Sequence, residues 1–94
     1  MTYISGPMTG IADFNFPEFN RVERVLVERG EKVFNPTCHP LNCGFEYADY
    51  LRLDIQALLI CSKIYLLKGW ESSKGATLEK NIAEALGYEV EYQS

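Results

Sequence analysis

The order of the apolar runs constrains this chain more than any single residue does. Met1 to Ser5 is a short apolar run cut off at Gly6-Pro7, and Glu31 to Asn35 carries Val33-Phe34 and is closed by Pro36. Lys63 to Leu67 and Tyr88 to Tyr92 supply two more runs of strand type. Between them the apolar residues recur at helical spacing. One helix opens at Pro17, a favoured first position, carries Phe19, Val22, Leu26 and Val25 or Arg29 along one side, and stops at Gly30. A second, Tyr47 to Cys61, has a broad apolar arc of Tyr47, Leu51, Ile55, Leu58 and Leu59, with Asp49, Arg52 and Gln56 opposite. A third starts near Gly75.

Strands that alternate with helices form βαβ units, which close in one hand and give a parallel sheet covered on both faces. The expectation is an α/β fold, a short flavodoxin-like three-layer sandwich. Its four-stranded, mainly parallel sheet has the order 2-1-3-4 and carries three main helices. Ligands collect beyond the C-terminal ends of strands 1 and 3 in such a sheet, which singles out the loops Gly6 to Asn15 and Lys68 to Lys74. No repeat or linker interrupts the pattern, so residues 1–94 read as one domain.

Composition removes several function classes. A content of 47% hydrophobic and 13% aromatic residues supports a packed core, and the net charge of −4 comes without any run of Lys or Arg. A nucleic-acid polymer or an anionic membrane is therefore a poor partner. No apolar run is long enough to cross a bilayer, and the opening residues lack a basic leader, so the chain reads as cytoplasmic. Cys38, Cys43 and Cys61 are an odd set and read as free thiols. Cys38, His39 and Cys43 lack a C-x-x-C pair and a fourth ligand, so neither a metal nor a cofactor is expected.

Two carboxylates stand out of place. On the third helix, advancing roughly 100° per residue, the core stripe reads as Leu78, Ile82, Ala85 and Leu86 with Ala83 at its margin, and Glu79 projects between Leu86 and Ala83. Asp54 likewise falls beside Tyr47, Leu58 and Cys61 rather than among the solvated residues of its helix. A carboxyl at the edge of a buried face either snorkels to water or lines a cleft with a shifted pKa.

The residues Tyr3-Ile4-Ser5-Gly6-Pro7-Met8-Thr9-Gly10-Ile11, Asp13-Phe14-Asn15-Phe16-Pro17, Asp54 and Gly69-Trp70-Glu71-Ser72-Ser73-Lys74-Gly75-Ala76-x-x-Glu79 form a combination. It resembles the small phage and bacterial DUF4406-type proteins grouped with the nucleoside 2-deoxyribosyltransferase-like superfamily, over nearly the whole chain. The resemblance implies that Glu79 is the nucleophile that attacks the sugar C1′, that Asp54 binds or protonates the base, and that Tyr3 lies against the nucleophile. The transferases carry an Asp six residues before the nucleophile, where this chain has Ser73. A related branch, the deoxynucleoside 5′-monophosphate N-glycosidases, has a phosphate-binding serine there. Where that branch has Ser and Arg after the first-strand glycine, this chain has Pro7 and Thr9. The implied activity is cleavage of a nucleotide N-glycosidic bond, with nucleoside deoxyribosyl transfer or non-catalytic nucleotide binding as alternatives. The implied partners are a small-molecule nucleotide or nucleoside and further copies of the chain, as a homodimer or larger homo-oligomer.

Each candidate has a plainer reading. Ser72, Ser73 and Gly75 either offer hydroxyls and amides to a phosphate at a helix N-terminus, beside Gly6, Met8 and Thr9 of the first loop, or Ser73 is a simple N-cap. Tyr3 is a positioning phenol or an ordinary strand aromatic. Asp54 is a base-side acid or a partner of a loop donor. Trp70 stacks on a base or anchors its loop. Asp13 and Asn15 bind sugar hydroxyls, or cap the helix that Pro17 opens and form an Asx turn.

Overall fold

Every residue of the first strand, β1 (Thr2–Ser5), is buried, because it takes an interior place in the sheet. In the computed structural model, which describes residues 1–38 and 44–94, β1 is flanked by β2 (Val33–Phe34) and β3 (Lys63–Leu66). With β4 (Glu89–Tyr92) the sheet has four strands in the order β2-β1-β3-β4, and all pairings are parallel. This is the 2-1-3-4 sheet expected. Its strands are shorter than the apolar runs, most of all β2, which pairs only through Val33 and Phe34.

Strand alternation sorts the core into two layers. Ile4 of β1 and Tyr65 and Leu67 at β3 pack on Phe19, Val22 and Leu26 of α1 (Phe16–Glu28). Tyr3, Ile64 and Leu66 face the other way, onto Ala57 and Leu58 of α2 (Tyr47–Leu59) and Ala83 of α3 (Lys74–Ala85). The result is the three-layer sandwich. A fully buried Leu, Ile or Phe of this kind contributes about 1.5–3 kcal/mol. Gly30 ends α1 at φ +89°, a conformation that glycine takes without strain.

Two helix faces depart from the periodicity. On α3 the buried residues are Ala76, Glu79 and Ala83, while Leu78, Ala85 and Leu86 are exposed. The wheel favoured the largest apolar residues, but the sheet takes the stripe that lets α3 lie closest, and that stripe is built from alanines. Glu79 is therefore central to the buried face, not marginal. On α2 only Ala57 and Leu58 are buried, and Tyr47 and Leu59 are exposed. That helix stops at Leu59, so Cys61 lies beyond it, with its Sγ donating to the Ala57 carbonyl at 3.3 Å.

The long loop after β2 begins with a 3₁₀ turn, Pro36–Cys38, tied to α1 by Asn35, whose Nδ2 donates to Asn20 Oδ1 at 2.9 Å and Glu23 Oε1 at 2.8 Å. Cys38 is an exposed and Cys61 a buried free thiol. The readings made for His39 and Cys43 fall outside the described residues. Among the described residues no helix is long and apolar enough to cross a membrane.

Candidate active site

Residues i and i+2 of a strand share a face, so Tyr3 and Ser5 both turn toward α3. The Tyr3 phenol donates to Glu79 Oε2 at 2.8 Å, and the Ser5 hydroxyl donates to Glu79 Oε1 at 2.6 Å. Glu79 is 6% exposed and Tyr3 is fully buried, its ring stacked on Phe34 at 5.7 Å. Burial pushes the Glu79 carboxyl up to about 7; the Ser5 and Tyr3 donors hold it down, and the Asp54 charge adds to the rise. Burial, followed by the charge of Glu79, also lifts the Tyr3 phenol well above its ordinary range, so it remains a donor.

These groups form one wall of a cavity of about 520 Å³, a volume that suits a small-molecule ligand. Asp54, Leu51, Tyr50 and Tyr47 of α2 line another side. Gly6, Pro7, Met8 and Thr9 enter from the loop after β1, and Ser72, Ser73, Lys74, Gly75 and Ala76 from the start of α3. Phe14, Phe16, Phe19 and Pro36 also line it. The loop after β1 can run this close because residue 6 is glycine: a Cβ there would stand 2.7 Å from Leu67 Cβ. Gly75 is similarly confined, with a Cβ falling 3.1 Å from the Tyr47 hydroxyl oxygen.

The structure thus gathers Tyr3, Gly6, Met8, Thr9, Asp54, Ser72, Ser73, Gly75 and Glu79 around one space, as the two sheet-end loops suggest. Trp70, Asp13 and Asn15 do not line it. Trp70 sits in a 3₁₀ turn, Trp70–Ser72, packs 6.0 Å from Tyr92 and carries Lys80 over its ring at 5.3 Å, so it anchors its loop. Asn15 is at the N-cap of α1, yet its Nδ2 donates to the Pro7 carbonyl at 3.0 Å instead of capping the helix. Ser73 caps α3, its Oγ accepting from the Ala76 N–H at 3.1 Å. An accepting hydroxyl can still donate its own hydrogen, so the cap and a phosphate contact are compatible.

Three things escaped the sequence reading. Ser5 has no helical or motif signal, although its two-residue spacing from Tyr3 marks it. Phe14 and Phe16 reach the wall through a left-handed turn at Asp13, Phe14 and Asn15 (φ +53°, +51° and +63°); Asp and Asn tolerate that conformation, but the Phe between them does not announce it. Such a conformation costs about 1–2 kcal/mol per residue and concentrates at functional sites. Tyr50, which lies outside the apolar arc read for the second helix, is on the wall as well.

A buried carboxyl that titrates near neutrality, fixed by two hydroxyls beside a second carboxylate, is equipped for nucleophilic or acid–base work. Among the described residues no group of three or more His, Cys, Asp or Glu side chains comes together as a metal site. The chain belongs to the family described as Domain of unknown function (DUF4406), whose profile matches residues 1–92. A comparison with curated proteins returned no match.

Proposed function

We propose that this chain cleaves the N-glycosidic bond of a (deoxy)nucleoside 5′-monophosphate, with Glu79 as the nucleophile. The observation that carries the reading is the Glu79 carboxyl itself, buried in a cavity wall, with each oxygen hydrogen-bonded by a hydroxyl and Asp54 on the same cavity. The resemblance to deoxyribosyltransferase-like proteins supplies the reaction. A Glu79 oxygen bonds to C1′ as the C1′–N bond breaks, and the departing base takes the electron pair and a proton delivered by Asp54. Water then attacks C1′, gives its proton to Asp54, and the C1′–O bond to Glu79 breaks to restore the carboxylate. Paired carboxyl groups serve glycoside cleavage in this way.

The substrate class is read from the start of α3. Ser73, Lys74 and the helix amides offer donors and positive potential to a 5′-phosphate. The aromatic walls formed by Phe14, Phe16, Tyr47 and Tyr50 suit a planar base. A second reading, the deoxyribosyl transfer that the same resemblance implies, has another base, not water, accept the sugar. In either reading the protein acts in the cytoplasm on a small molecule and as a homo-oligomer.

Screening deoxy- and ribonucleoside 5′-monophosphates for released base, with and without added free bases, tests the proposal. Release that requires Glu79 supports it, and exchange with an added base selects transfer. Tight nucleotide binding without release would make the chain a non-catalytic binding module.

A further inference from the structure

A serine buried inside a strand loses its water and needs a partner. Ser5 is 1% exposed at the end of β1, and its partner is Glu79 Oε1. Tyr3, two residues earlier on the same face, takes Oε2. Each oxygen of the carboxylate therefore has its own donor, and each retains one lone pair. One donor would leave the carboxylate free to turn about its last bond; two donors on separate oxygens fix its plane.

We propose that Ser5 is a positioning residue for Glu79, forming with Tyr3 a two-hydroxyl clamp that sets the orientation of the attacking carboxylate. The inference rests on the reading of Glu79 as the nucleophile. Fixing the reacting oxygen near its line of attack matters because small misplacements carry large rate penalties. The clamp also works against burial. Among the described residues, the ionisable groups that face Glu79 are Tyr3 from β1 and Asp54 from α2, with Tyr47 and Tyr50 of α2 and Lys74 of α3 on the same cavity and Cys61, past the end of α2, acting on Tyr3. Asp54 disfavours the charge on Glu79, whereas Ser5 and Tyr3 favour it. Loss of Ser5 removes a short charge-assisted donor and leaves burial and Asp54 opposed by Tyr3 alone.

The test follows the Glu79 carboxyl directly, by carbon NMR titration of protein labelled at the glutamate side chain, with Glu79→Gln identifying the signal. Wild type, Ser5→Ala, Ser5→Thr and Tyr3→Phe are titrated, and the pH profile of base release is recorded for each. Ser5→Ala is expected to raise the Glu79 titration by about one pH unit or more. The acid limb of kcat/KM should move up with it, and kcat should fall roughly 10- to 100-fold with KM little changed. Ser5→Thr, which restores a hydroxyl, should recover both.

An unmoved Glu79 titration with wild-type kcat in folded Ser5→Ala overturns the clamp. Should Ser5→Ala not fold, Ser5→Cys, similar in size and a weaker donor, is read by the same criteria. The NMR titration needs no substrate, so a moved titration in a protein that releases no base would retain the clamp and reject the proposed reaction.

Discussion

Tyr3 and Glu79, 76 positions apart in sequence, meet through a 2.8 Å hydrogen bond buried between the central sheet and α3. The contact exists because β1 is interior to the sheet and α3 presents its alanine stripe to it. The fold thereby forces a carboxyl group into a place that opposes its charge. Its effect on stability and its proposed role in catalysis have the same origin.

Glu79 should make the protein less stable as pH rises. Its folded pKa is raised from the ordinary 4.5 to about 7, so between those values the folded state holds a proton that the unfolded state has lost. The Glu79 contribution is fully present below about pH 4.5 and is lost as pH climbs through about 7. The loss is of the order of 3 kcal/mol. Glu79→Gln, which cannot ionise, should be more stable than wild type at pH 8 and similar at pH 4.5. Urea unfolding at both values checks this, and equal stability of the two proteins at pH 8 would count against a buried, shifted carboxyl.

Ser73 is expected to serve both the helix and the ligand. Ser73→Ala removes the cap on α3 and should cost about 0.5–2 kcal/mol of stability. It should also weaken a deoxynucleoside 5′-monophosphate more than the corresponding nucleoside. Ser73→Asp separates the two effects, because aspartate caps a helix well but repels a phosphate. Calorimetry on nucleotide and nucleoside should find preserved stability with a lost phosphate preference in that variant. Equal wild-type affinities for the two ligands would contradict the 5′-phosphate assignment.

Self-association is expected through the outer sides of α2 and α3. Leu59 is 54% and Ile60 72% exposed, and Leu78 and Leu86 are 40% and 51% exposed on the neighbouring helix. Exposed apolar residues on two packed helices mark an interface where they join into one contiguous patch. Light scattering at micromolar concentration should give at least a dimer, and Ile60→Asp with Leu78→Asp should shift it toward monomer. A wild-type monomer at that concentration would contradict the expected self-association.

The sheet order was legible because strand and helix periods alternate cleanly and handedness leaves little choice in connecting them. Glu79 was legible as a misplaced charge, although the wheel put it at the margin of a stripe in which Ile82 packs on the core but Leu78 and Leu86 turn out to face outward. Large exposed residues such as Leu78 and Leu86 mislead a periodicity argument whenever a helix keeps small residues for its close contact. Ser5 stayed hidden because a single serine carries no pattern until its strand partner Tyr3 is paired with it. Trp70 was drawn toward the ligand by its loop, yet local 3₁₀ winding turns it onto Tyr92 and Lys80. The Phe14 and Phe16 part of the aromatic wall depends on three consecutive left-handed residues, and although Asp13 and Asn15 tolerate that conformation, Phe14 between them hides the turn.

The most direct test of the account is the rate of base release by Glu79→Ala on the best 5′-mononucleotide substrate, beside wild type at neutral pH. The proposed nucleophile predicts a loss of roughly 10³-fold or more in kcat in a variant that remains folded. Release by folded Glu79→Ala at the wild-type rate would contradict it.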